Sequence, residues 1–121
     1  MSTTAAGAQT PVLILTPNAL EAADISDYLL RRGYPAVSTE TRLDGLAAAL
    51  DYAAQPPHLV FFGFPLSVPA ARDWLQSAMA KEWRLILING DTTEPELRSL
   101  PMLSRPFATP HLDAAMQLLG E

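Results

Sequence analysis

Short, continuous apolar runs alternate along this chain with stretches whose apolar residues return at helical spacing. The first run, Val12-Leu13-Ile14-Leu15, lies between Pro11 and Thr16-Pro17 and predicts a strand covered on both faces. Asn18 then offers an N-cap, with Glu21 three residues on as the partner of a capping box. The helix so opened turns Ala22, Ile25 and Leu29 to one face and stops at Gly33, a residue suited to the left-handed turn after a helix. Ala36 to Thr39 predicts a second strand. Leu43, Leu46, Ala47, Leu50 and Ala54 then keep a helical repeat that Pro56-Pro57 ends.

Leu59 to Phe62 predicts the third strand. Ser67 is placed to cap a helix with the inward stripe Ala71, Trp74, Leu75 and Ala78. Arg84 to Asn89 predicts the fourth strand, and Asp91 to Leu100 leaves room for only a short helix. Met102 to Ser104 predicts the fifth strand. Thr109-Pro110 reads as an N-cap followed by proline, opening a last helix that buries Leu112, Ala115, Met116 and Leu119. Strict alternation of strand and helix requires right-handed crossovers. The fold class expected is therefore α/β, a doubly wound five-stranded parallel sheet of flavodoxin-like order 2-1-3-4-5 with a shortened fourth helix. Residues 1–10 are small and polar and predict a disordered N-terminal tail; residues 11–121 form one domain.

Composition narrows the functions open to such a fold. A net charge of −5 and a pI near 4.8 argue against nucleic acid, whose phosphates need a basic patch. Without cysteine there is no disulfide, thiolate nucleophile or cysteine-ligated zinc, which suits a cytoplasmic protein. The first ten residues carry no secretory signal, and no apolar run approaches the ~20 residues that span a bilayer, so no membrane partner is expected. Glycine-rich phosphate-binding motifs and the Gly-x-Ser-x-Gly elbow are absent. His58 and His111 stand far apart in sequence, which leaves no metal-ligand spacing. The expectation is a protein with no cofactor, no metal and no enzymatic activity.

The run Pro57 to Phe62, the Gly33-Tyr34 turn and the Arg105-Pro106-Phe107 turn, in this order and spacing, resemble the receiver domain of bacterial two-component response regulators. The likeness spans roughly residues 11 to 120. What it implies is mostly a loss. The acidic pair that holds magnesium in receivers falls on Thr16 and Pro17, and the phosphoacceptor aspartate falls on Gly63. The hydroxyl residue of the switch falls on Asn89, and the lysine after the fifth strand falls on Arg105, with a cis bond expected before Pro106. Sixteen positions separate Asn89 from Arg105, fewer than receivers generally use. That puts the family's usual homodimer face in doubt.

Phosphoryl transfer needs an oxygen nucleophile and a cation to neutralise the developing charge. Neither has a residue here. The expectation is a pseudo-receiver that acts in signal transduction through protein–protein contacts, its partner a histidine kinase, phosphotransferase or regulator. Glu21, Asp24 and Asp27 would form an acidic outer face on the first helix, the face through which receivers dock such partners. The alternative is a small-anion or metabolite sensor at a vacated pocket of Asn89, Gly90 and Arg105, because an arginine freed of its carboxylates attracts anions. Against that stands a surface pairing of Arg105 with Glu94 or Glu96. A further alternative is an enzyme of flavodoxin-like fold.

Overall fold

The computed structural model describes residues 11–34, 36–46, 57–88, 97 and 99–121. Strands β1 (Val12–Leu15), β2 (Val37–Glu40), β3 (Leu59–Phe62), β4 (Leu85–Ile88) and β5 (Met102–Leu103) form one parallel sheet in the order β2-β1-β3-β4-β5. The described helices are α1 (Ala19–Arg31), α2 (Pro69–Ala80) and α3 (Thr109–Leu118), with a 3-10 turn at Leu43–Gly45. The expected fold class is the one observed. The helical repeat predicted to run on to Ala54 and the short helix predicted from Asp91 fall largely outside the described residues.

Alternation along each strand sorts the core into two layers. From β1, Leu13 and Leu15 join Val60, Phe62, Leu85 and Leu87 on one face, under α2. Phe62 stacks there on Trp74 at 5.3 Å, and Trp83 meets Trp74 edge-on at 6.1 Å. Val12 and Ile14 join Phe61, Ile86 and Leu103 on the other face, under α1 and α3. Three of the strands are buried along their whole length, as continuous apolar runs require when helices cover both sides.

Two caps differ from the sequence expectation. The N-cap of α2 is Val68 rather than Ser67, and that of α3 is Ala108 rather than Thr109. In both cases proline in the first turn, with its fixed φ and missing N–H, sets the helix start without help from a side-chain cap. At α3 the ring of His111 accepts a hydrogen bond from the Ala108 N–H at 2.9 Å.

Because all strands run the same way, their carboxyl ends share one rim. Leu15 stands in register with Glu40 and Phe62, and Ile88 with Leu103. Residues 16, 63 and 104–105 follow directly on that rim. At the opposite edge, the base, His58 and Arg84 lead into β3 and β4.

Candidate functional site at the carboxyl rim

Four of the six residues singled out by sequence lie at the rim: Thr16, Pro17, Gly63 and Arg105. Asn89 and Gly90 lie outside the described residues, as do Asp91, Glu94 and Glu96. Thr16 is fully buried, continuing β1 by donating its N–H to Glu40 at 3.1 Å, while Pro17 is exposed. Gly63 continues β3, its N–H donating to the Leu15 carbonyl at 2.6 Å. Arg105 follows β5, and its peptide bond to Pro106 is cis, as the resemblance implied.

The rim is not short of negative charge. Glu21 reaches in from the first turn of α1 and accepts two hydrogen bonds from Arg105, from Nε at 2.6 Å and from Nη2 at 2.9 Å. The Thr16 hydroxyl donates to Glu21 Oε1 at 2.8 Å, and the same Thr16 oxygen accepts the Asn18 N–H at 3.3 Å. Arg105 Nη2 also reaches the Gly63 carbonyl at 3.4 Å. The arginine that the anion-sensor alternative takes as uncompensated is paired in the two-pronged geometry that suits guanidinium and carboxylate. Among the described residues its carboxylate partner is Glu21; the alternative pairing with Glu94 or Glu96 lies outside the described residues.

Glu21 also corrects the expected acidic outer face of α1. Its exposure is 8 %, and only Asp24 and Asp27 face outward. The periodicity held the clue: Glu21 stands four residues before Ile25 and eight before Leu29, within the buried stripe. Half of the capping box does form, since Asn18 Oδ1 accepts the Glu21 N–H at 3.0 Å. The other half is replaced, because the Asn18 N–H goes to Thr16 and the Glu21 carboxylate to Arg105.

These contacts set the charge states. Burial works to raise the Glu21 carboxyl, but hydrogen bonds from Arg105 and Thr16 and the charge of Arg105 outweigh it, so its pKa lies below the ordinary value. The hydrogen bonds to Glu21 hold Arg105 higher than usual. The rim is therefore an ion pair at neutral pH. A β-carbon added at Gly63 would come 3.1 Å from Arg105 Nη2, 3.1 Å from Thr16 Oγ1 and 3.2 Å from Thr16 Cβ. The space where a side chain would stand at this position is already bordered by the arginine and the threonine.

Beside the ion pair opens a groove of about 710 Å³ between α1 and the segment from Arg105 into α3. Leu20, Asp24 and Asp27 line one side, and Phe107 and Leu112 the other. Leu20 is 72 % exposed, a large apolar side chain held out at the groove's edge. The described residues hold no group of three His, Cys, Asp or Glu side chains placed to bind a metal ion.

Among solved structures, response-regulator receiver domains share this fold. SdrG from Sphingomonas melonis Fr1 superposes with a TM-score of 0.71 at 20 % identity, over 94 % of this chain and 98 % of that one. The N-terminal domain of a response regulator/sensory box/GGDEF protein from Carboxydothermus hydrogenoformans superposes with a TM-score of 0.59 at 17 % identity, over 92 % and 97 %. The N-terminal domain of the nisin resistance regulator NsrR gives 0.58 at 17 % identity, over 90 % and 96 %. No protein-family model matches the chain. No curated protein sequence matches it. At these identities the likeness is one of fold.

Proposed function

We propose that this chain is a pseudo-receiver: a receiver-fold domain of two-component signalling that takes no phosphoryl group, catalyses nothing and acts in the cytoplasm through protein contacts. One observation carries the reading. Where a receiver would hold its acceptor aspartate there is Gly63, and the rim cation closes on a carboxylate of the chain itself. Thr16 and Pro17 add no carboxylate for magnesium, whose ligands are charged oxygens. Glu21, the carboxylate that reaches into this site, is already engaged by Arg105 and Thr16. A built-in ion pair in place of a transient phosphate supports a conformation set by sequence and biased only by partners.

The groove between α1 and α3 is the docking surface in this reading. Its exposed Leu20 supplies an apolar anchor, and Asp24 and Asp27 flank it with negative charge. The complementary ligand is an amphipathic helix with basic residues beside its apolar stripe, presented by a kinase or phosphotransferase. The anion-sensor reading loses its premise, since a free anion would have to displace a tethered carboxylate from Arg105.

Two measurements test the proposal. Acetyl phosphate with magnesium should leave the protein's mass unchanged, and an adduct of one phosphoryl group would refute it. Pull-down from the source organism should retain a signalling kinase, phosphotransferase or regulator, and Leu20→Glu should abolish that capture. Retention undiminished by the substitution would remove the groove from the account.

A further inference from the structure

At the base of the sheet, far from the rim, donors from three separate connections meet on one carboxylate. Tyr34, in the segment after α1, donates its hydroxyl to Glu121 Oε1. His58, leading into β3, places Nε2 2.9 Å from the same oxygen. Arg84, leading into β4, puts Nη2 2.9 Å from Oε2 and donates as well to the Leu119 carbonyl. Arg32 Nη2 reaches the main-chain oxygen of Glu121 at 3.3 Å. The Glu121 side chain is only 10 % exposed, whereas His58 and Arg84 are 42 % and 43 % exposed. The rings of Tyr34 and His58 lie 5.7 Å apart, tilted by 49°, so each restricts the other.

A phenol, an imidazole and a guanidinium that converge on both oxygens of one carboxylate make a receptor for that group. Nothing in the rim uses these residues. A basic side chain on the last carbonyls suffices to cap a helix end, as Arg84 does at Leu119; the further donors on the Glu121 side chain are not needed for that.

We propose that the base of the sheet is a carboxylate-binding site, formed by Tyr34, His58 and Arg84, which this chain fills in cis with Glu121. Its ligand class is a monocarboxylate or an acidic side chain supplied by another protein. The tether gives Glu121 a local concentration of order millimolar or above, so an outside carboxylate is outcompeted while Glu121 stays in place. Occupancy has a structural consequence. Glu121 N–H donates to the Met116 carbonyl at 3.0 Å, so the filled site pins the last turn of α3, the helix whose Leu112 walls the groove.

The experiment replaces the internal ligand. Thermal unfolding of Glu121→Ala is followed against sodium acetate, with sodium chloride at equal ionic strength as the control. The variant should melt below the parent and regain stability saturably with acetate, as binding to the native state requires. Chloride should not do this, the parent should not respond, and Glu121→Ala combined with Arg84→Ala should lose the rescue. An acetate response no larger than that of chloride, or one that survives loss of Arg84, overturns the proposal. The His58 ring gives a second readout in Glu121→Ala, where the site is vacated. Acetate should shift the His58 ring proton resonances in that variant, and resonances that stay still count against the site.

Discussion

Removing either half of the Glu21–Arg105 pair should cost stability, but not equally, and the inequality follows from burial. The Arg105 side chain is 33 % exposed and the Glu21 side chain 8 %. Glu21→Ala strands the buried Thr16 hydroxyl but lets Arg105 turn its charge to water. A lost acceptor for one buried hydroxyl and two charge-assisted hydrogen bonds partly replaced by water amount to about 2 kcal/mol. Arg105→Ala strands a carboxylate that cannot reach solvent as easily. The cost of an orphaned buried charge is about 3–5 kcal/mol when burial is complete, and about 3 kcal/mol is expected here because the partner side is partly wet. Urea unfolding of the parent, both single variants and the double variant at pH 7 closes the cycle. A coupling of about 1–2 kcal/mol is expected, with Arg105→Ala the worse single change. Acid should narrow the gap. The folded Glu21 carboxyl lies below 4.5, so the pair's contribution is present above that value and fades as pH falls through the folded pKa. In Arg105→Ala the stranded carboxyl takes up its proton at higher pH, so its deficit shrinks first. Additive single effects, or Glu21→Ala as costly as the reverse change, would refute the reasoning.

Gly63→Asp tests whether a carboxylate supplied at this position alone can accept a phosphoryl group. Its β-carbon would crowd Arg105 and Thr16, so a loss of about 1–3 kcal/mol is expected in urea. Acetyl phosphate should still leave its mass unchanged, since Thr16 and Pro17 offer magnesium no charged oxygen; a phosphorylated product would show that Gly63 was the single obstacle. The base of the sheet predicts a separate acid response. Burial works to raise Glu121, but hydrogen bonds from Tyr34, His58 and Arg84 and the charge of His58 carry it down to about 2. Its contribution is therefore present above the ordinary 4.5 and is lost as pH falls from there toward about 2. Screening at its half-exposed partners limits that contribution to about 1–2 kcal/mol. Glu121→Gln should flatten this limb of the stability–pH curve, and a limb of unchanged slope would place the titration elsewhere.

The strands and their order were legible because apolar runs of strand length leave few alternatives once helices alternate with them. Residues such as Ile14 and Phe61 carry that information in their own chemistry. The place of Gly63 was legible for the same reason, one step past a strand whose end the pattern fixes. What sequence reasoning missed was the partner of Arg105, because a contact between residues 84 positions apart leaves no local trace. Glu21 had a sufficient local explanation in its capping box, and that hid its place on the buried stripe with Ile25 and Leu29. The ring around Glu121 was invisible likewise: Tyr34, His58, Arg84 and Glu121 are far apart in sequence and meet only where the sheet's amino ends and the last helix close on one another. Single donors at the start of strands look like solvated surface until the fold gathers them.

The interlock of Gly63, Thr16, Glu21 and Arg105 works as a ratchet. An aspartate placed at position 63 would jostle the guanidinium, and one placed at position 16 would replace the hydroxyl that now donates to Glu21 with a like charge. Each acidic replacement taken singly is uphill, so the quartet resists piecemeal change and keeps the rim locked in one arrangement.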